Sequence, residues 1–236
     1  MQPGEQLFLY VVGFNIYALG LIYLRGWLYQ VPVYRPMVLN FFLSVLPLGI
    51  LLVTLVVAGL ADELAGRWAG IAVAAVGLLA WLLALPNASY LITELNLNHR
   101  REDDSVPLWY DIIAVLSFAM SGVVNTVFNV LLVQIGFVVA FFGDDDDRAM
   151  EGAPAAALAI LIIAAVSVGI YLGRYLRLNS WDVRSPRRMW TKVATHFDSW
   201  SAVGSFALFT AMYTIFLGLM YGLIVGPLVA SITLPR

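Results

Sequence analysis

Residues 108–142 read LWYDIIAVLSFAMSGVVNTVFNVLLVQIGFVVAFF, with Asp111 the single charged residue. A membrane span needs roughly 20 mostly apolar residues. A helix over the whole stretch would reach about 50 Å, longer than the roughly 30 Å apolar core of a bilayer. The stretch is therefore either one long tilted helix that projects from the membrane or two short spans around Ser121-Gly122. That choice sets the number of spans and the side on which every later loop lies.

Five further segments are apolar enough to span: about 6–24, 38–60, 68–85, 155–173 and 202–232. The third stops at Pro86. With 108–142 as one span, the first, third and fifth loops share a side. They hold Arg25 and Arg35, then Arg100 and Arg101, then Arg174, Arg177, Arg184, Arg187, Arg188 and Lys192. The opposite side keeps Arg67, Arg148 and Arg236. Basic loops stay in the cytoplasm, so six spans with both termini outside is the consistent solution. Two spans in 108–142 would put the most basic loop outside. The expected fold is all-α, a polytopic transmembrane helical bundle of about six spans plus short interfacial helices, forming one transmembrane domain over 1–236.

Composition agrees. Hydrophobic residues make up 61% of the 236 and charged residues 12%, about half the usual charge of a soluble domain. Disorder, a nucleic-acid-binding face and a disulfide-stapled domain are excluded. The absence of cysteine removes thiol catalysis and Cys-ligated zinc. Met1 to Gln6 carries Glu5 but no basic residue, so the first segment reads as a retained span rather than a signal peptide. Asp144 to Asp147 falls outside. It lacks the spacing and glycine of an EF-hand and reads as a solvated turn.

Polar residues recur inside the spans: Asn15; Asn40, Ser44 and Thr54; then Ser117, Ser121, Asn125 and Asn129 at intervals of four. They serve either as hydrogen-bonding ties between helices or as a cavity wall. Gly218, Gly222 and Gly226 repeat the four-residue spacing in the last span, where internal helix packing is expected. Pro227 is expected to bend its end.

Two loops on the basic side hold the remaining signals. In 85–95, LPNASYLITEL, Pro86 ends the third helix, and Asn87 is placed to cap a short new one. On it Asn87, Tyr90 and Glu94 share a side. Pro107 then opens the fourth span, Trp109 and Tyr110 suit the membrane interface, and Asp111 sits at the favourable helix N-terminus. In 173–182, GRYLRLNSWD, Arg174 and Arg177 project from one side of a helix end. Asn179 to Asp182 reads as a turn. Ser185-Pro186 starts an amphipathic helix, with Trp190, Val193, Phe197 and Trp200 facing lipid and Lys192, His196 and Ser199 opposite. His99 and His196 read as ordinary exposed polar residues.

These segments, Asn87 to Leu95, Trp109-Tyr110-Asp111, and Gly173-Arg174 through Asp182, together resemble the DUF1361 family of bacterial integral membrane proteins. The family pattern often has proline where Ser89 stands and aspartate where Glu94 stands. Both departures keep a helix start and a carboxylate. The resemblance implies a membrane protein and a set of candidate residues, not a reaction.

The candidate ligand-binding set is Asn87, Tyr90, Glu94, Trp109, Tyr110, Asp111, Arg174, Arg177, Asn179, Trp181 and Asp182. Three functions fit. Two arginines near helix N-termini suit a small polar or anionic ligand that is bound or transported. Glu94, Asp111 and Asp182 suit Mg²⁺ or a general base in an enzyme acting on a lipid headgroup. A non-catalytic subunit of a membrane complex is the third. No nucleic-acid partner is expected, and cofactor, metal and oligomeric state stay open at the level of sequence. The structural alternative is a set of ties, with Arg174 and Arg177 bridging Asp111, Glu94 or Asp182.

Overall fold

The computed structural model describes residues 3–94, 106–143, 147–176 and 185–233. Among them are eight α-helices and no strand. They are α1 (Pro3–Tyr29), α2 (Arg35–Ala65), α3 (Arg67–Ala84), α4 (Pro86–Tyr90), α5 (Leu108–Phe142), α6 (Ala153–Tyr175), α7 (Pro186–His196) and α8 (Trp200–Thr233). Six helical segments are long and apolar enough to cross a membrane. The chain is an all-α, multi-pass membrane protein. The stretch 108–142 is one helix, unbroken at Ser121-Gly122.

The helix boundaries follow local chemistry. Pro36 lies in the first turn of α2 and Pro154 in that of α6, where a missing N–H costs nothing. Pro227 does not end α8, which runs on to Thr233. Between α2 and α3 stands Gly66 alone, with φ at 88°, a backbone conformation that favours glycine. Its N–H bonds to the Asp62 carbonyl at 2.9 Å.

Two compact units form. One combines Met1–Trp81 with Asn87–Asn129; the other combines Leu82–Pro86 with Val130–Arg236. In the first, α2 and α3 make an antiparallel hairpin. A Cβ at Gly70 would lie 2.8 Å from the Asp62 Cβ, and one at Gly77 would strike the Thr54 side chain. The core of this unit joins Ile22, Met37, Phe41, Leu91 and Phe118. Gly122 lets α4 approach α5: a Cβ there would collide with the Ala88 carbonyl oxygen.

In the second unit α6 packs along α8. Tyr171 is its aromatic hub, with rings of Tyr175, Phe206 and Phe209 at centroid distances of 4.5, 5.0 and 5.3 Å. Tyr221 on α8 donates a hydrogen bond to Gln134 on α5. The glycine stripe departs from expectation. Nothing lies within 4 Å of a Cβ built at Gly218, Gly222 or Gly226. The stripe faces open space because the inner side of α8 is taken by larger residues such as Leu217 and Val225.

Candidate functional site

The site grows from the end of α1. The helix continues past Leu24 to Tyr29, because Arg25 to Tyr29 contains no proline and the single Gly26 does not interrupt it. Gln30 then takes φ at 54° and donates through Nε2 to the Trp27 carbonyl at 2.7 Å. The chain turns back across Gly26, where a Cβ would fall 2.9 Å from the Val33 Cγ2. This return brings Pro32, Val33 and Tyr34 over the end of α1.

Opposite them, α5 begins. Pro107 supplies the carbonyl that accepts from the Tyr110 N–H at 3.0 Å, so the first turn is closed there. Asp111 therefore lies in that turn, where the positive end of the helix favours a carboxylate. Arg25 Nε donates to Asp111 Oδ1 at 2.7 Å, with side-chain exposures of 14% and 0%. Tyr110 is buried beside it and donates its hydroxyl to the Leu21 carbonyl at 2.9 Å. The Tyr29 ring meets the Tyr110 ring edge-on at 5.3 Å. A cavity of about 20 Å³ adjoins the pair, lined by the two charged residues together with Tyr34, Met37 and Val115. That is room for about one water molecule.

Farther along α5 the polar stripe forms ties. Asn15 and Asn125 exchange amide hydrogen bonds at 2.7 and 3.0 Å. Asn125 also donates to Ser44 Oγ at 2.9 Å, and Ser44 donates to the Ala88 carbonyl at 3.3 Å. Trp81 Nε1 donates to Asn129 Oδ1 at 2.9 Å. Ser89 is buried and bonded to Thr126. In a bilayer no water satisfies such groups, so neighbouring helices must. The stripe acts as helix-to-helix bonding through Asn15, Ser44, Asn125 and Asn129.

Several candidates take places other than those expected. Asn87 is not a cap: α4 begins at Pro86, which puts Asn87 inside the first turn. Tyr110 is a buried tie between α1 and α5 rather than an interface residue, while its neighbour Trp109 is exposed. Asp111 is bridged by Arg25, which the sequence placed in a loop. Tyr90 is half-buried, and its carbonyl accepts from Thr93 Oγ1 at 2.7 Å. Glu94 ends the 3₁₀ turn Leu91–Glu94. Arg174 lies in the last turn of α6, in the second unit. Arg177, Asn179, Trp181, Asp182 and His99 lie outside the described residues. Among the described residues no three His, Asp or Glu side chains form a metal-holding group.

His196 also departs from expectation. It is half-buried, and its Nε2 shares a hydrogen bond with the Tyr171 hydroxyl at 2.8 Å. Phe197, expected to face lipid, instead stacks on Tyr171 and meets Phe206 edge-on at 5.2 Å. The signal missed in the sequence was the pairing of His196 and Phe197 with an aromatic helix end, Tyr171 to Tyr175.

A family model described as "Protein of unknown function (DUF1361)" matches residues 39–220. No curated protein and no solved structure matches the chain.

Proposed function

The chain belongs to the DUF1361 family, whose members are described as proteins of unknown function, and from that premise we propose that it binds, or carries across the membrane, a small polar or anionic ligand at the Arg25–Asp111 pair. The observation that supports this is a fully buried carboxylate paired with an arginine beside a cavity. Ionisable groups within a membrane protein are costly and serve most often as sites. The cavity admits one water-sized group, which suits a small anion or one oxygen of a carboxylate or phosphate. Arg25 is the anion-binding partner, and its forked guanidinium can serve Asp111 and a second acceptor together. The first turn of α5 adds the positive end of a helix.

The site faces the cytoplasm in this proposal, with both termini outside, in the cytoplasmic membrane of a bacterium. The support for this orientation is the charge distribution: ten of the thirteen basic residues lie at the ends of spans, or between spans, on one assigned side.

The test is a thermal-shift series on detergent-solubilised protein with chloride, acetate, inorganic phosphate and phosphorylated metabolites at constant ionic strength. A ligand stabilises the folded state by mass action. Stabilisation by one of these anions, lost in Arg25→Gln, supports the proposal. Equal stabilisation of Arg25→Gln and the parent chain by that anion rules the site out.

A further inference from the structure

Helix α7 lies between two spans and carries two unlike sides. At about 100° per residue, Arg187, Thr191, Lys192 and Thr195 share one side, and Trp190, Val193 and Phe197 the other. From Ser185 to Phe197 the sequence holds Arg187, Arg188, Lys192 and His196 and no carboxylate; the next acid is Asp198.

The structure fixes where this helix sits within its unit. Its last residue, His196, is hydrogen-bonded to Tyr171 at 2.8 Å, one turn before the end of α6. Phe197 packs on Tyr171 and Phe206. Only Asp198 and Ser199 separate Phe197 from the first residue of α8. A 23-residue helix such as α6 is about 35 Å long, slightly more than the apolar core of a bilayer. Its last turn then stands at the border between hydrocarbon and headgroups, and α7 is held at that depth. Trp190 is 66% exposed and Trp200 90% exposed, and tryptophan favours this border.

We infer that α7, with Trp190 and Trp200, is a docking surface for the anionic phospholipid headgroups of the adjacent leaflet. Charge selects this occupant: the cations of α7 match phosphodiester headgroups, and the two tryptophans reach the acyl boundary beneath them. Each cation near an anionic surface contributes about a fivefold factor in affinity at moderate salt.

The experiment is a melting-temperature titration of the full chain in neutral detergent. The probes are phosphatidylglycerol, phosphatidylcholine with the same acyl chains, and inorganic phosphate. Stabilisation by phosphatidylglycerol above that by the other two is expected. The Arg187→Gln/Lys192→Gln variant should need about 25-fold more phosphatidylglycerol for the same shift. A second measurement needs no variant: raising salt from roughly 0.05 to 0.5 M should weaken the phosphatidylglycerol effect on the parent chain. Equal stabilisation by phosphatidylcholine would make the surface merely apolar. Equal stabilisation by phosphate would make it a free-anion site. Either result overturns the inference, as does a phosphatidylglycerol effect that neither salt nor the double variant weakens.

Discussion

Remove Arg25 and Asp111 is left fully buried without its arginine. Breaking a buried ion pair by deleting one partner costs about 3–5 kcal/mol, because the remaining charge stays desolvated. Two features of this pair modify that range. In Arg25→Met the surviving carboxylate still sits in the first turn of α5, and the helix terminus returns about 1 kcal/mol. The expected loss is therefore about 2–4 kcal/mol. In Asp111→Leu the surviving guanidinium faces the positive helix end and gains nothing from it. It is, however, 14% exposed and adjoins a water-sized cavity, so hydration lowers its cost to a similar range of about 2–4 kcal/mol.

The double variant Arg25→Met/Asp111→Leu removes both desolvation penalties at once. Its expected loss is below about 1.5 kcal/mol, less than either single change. The signature is thus the interaction energy, about −2.5 to −8 kcal/mol from the cycle of four proteins. The assay is reversible unfolding in mixed micelles of a mild detergent and dodecyl sulfate, followed by circular dichroism. If the losses of the two single variants simply add in the double variant, the pair carries no coupling and the charges act separately. If Arg25→Met costs under about 0.5 kcal/mol, Asp111 is satisfied without Arg25.

Four other substitutions test the packing by the same unfolding assay. Gly122→Val places side-chain atoms onto the Ala88 carbonyl and Leu91 and should cost at least about 1–3 kcal/mol, whereas Gly222→Ala on the open face of α8 should be neutral or stabilising by up to about 1 kcal/mol. A clear loss at Gly222 would mean that another helix sits on that face. Asn125→Ala removes two bonds to Asn15 and one to Ser44, a loss of about 2 kcal/mol at about 0.6 kcal/mol each. Tyr171→Phe keeps the ring contacts and deletes the hydroxyl bonded to His196, costing about 0.5–1.5 kcal/mol. Hydrogen exchange should then speed up in Pro186–His196 but not in the middle of α6.

The spans were legible because a bilayer imposes a length and a composition that few other structures share. Charge placement alone favours one helix over 108–142. Helix starts at Pro36, Pro107 and Pro154 also follow local rules. The glycine contacts did not. Spacing drew attention to Gly218, Gly222 and Gly226, yet close approaches occur at Gly26, Gly70, Gly77, Gly122 and Gly169. Periodicity describes one helix and carries no information about which neighbour lies against it. A glycine beside the Ala88 carbonyl looks, in sequence, like any other glycine.

The same limit explains the site. Polar residues within apolar segments were easy to find, and the physics required each to have a partner. Partner choice was hidden. Asp111 has several arginines at the same predicted end of the bundle, and Arg25 reads as a loop residue because the apolar run ends near Leu24. A drop in hydropathy marks where apolar solvent ends, not where the helix ends. α1 runs five residues past Leu24, and those residues carry the arginine to α5 instead of releasing it into a loop. Asn15 and Asn125 meet by the same means, two helices 110 positions apart in sequence each keeping an amide at matching depth. In a membrane protein, then, a charged residue just beyond the apolar run of a span is better assigned to the helix than to the loop whenever no breaker intervenes. Arg25 meets Asp111 because it obeys that rule at the end of α1, while Asp111 already lies in the first turn of α5.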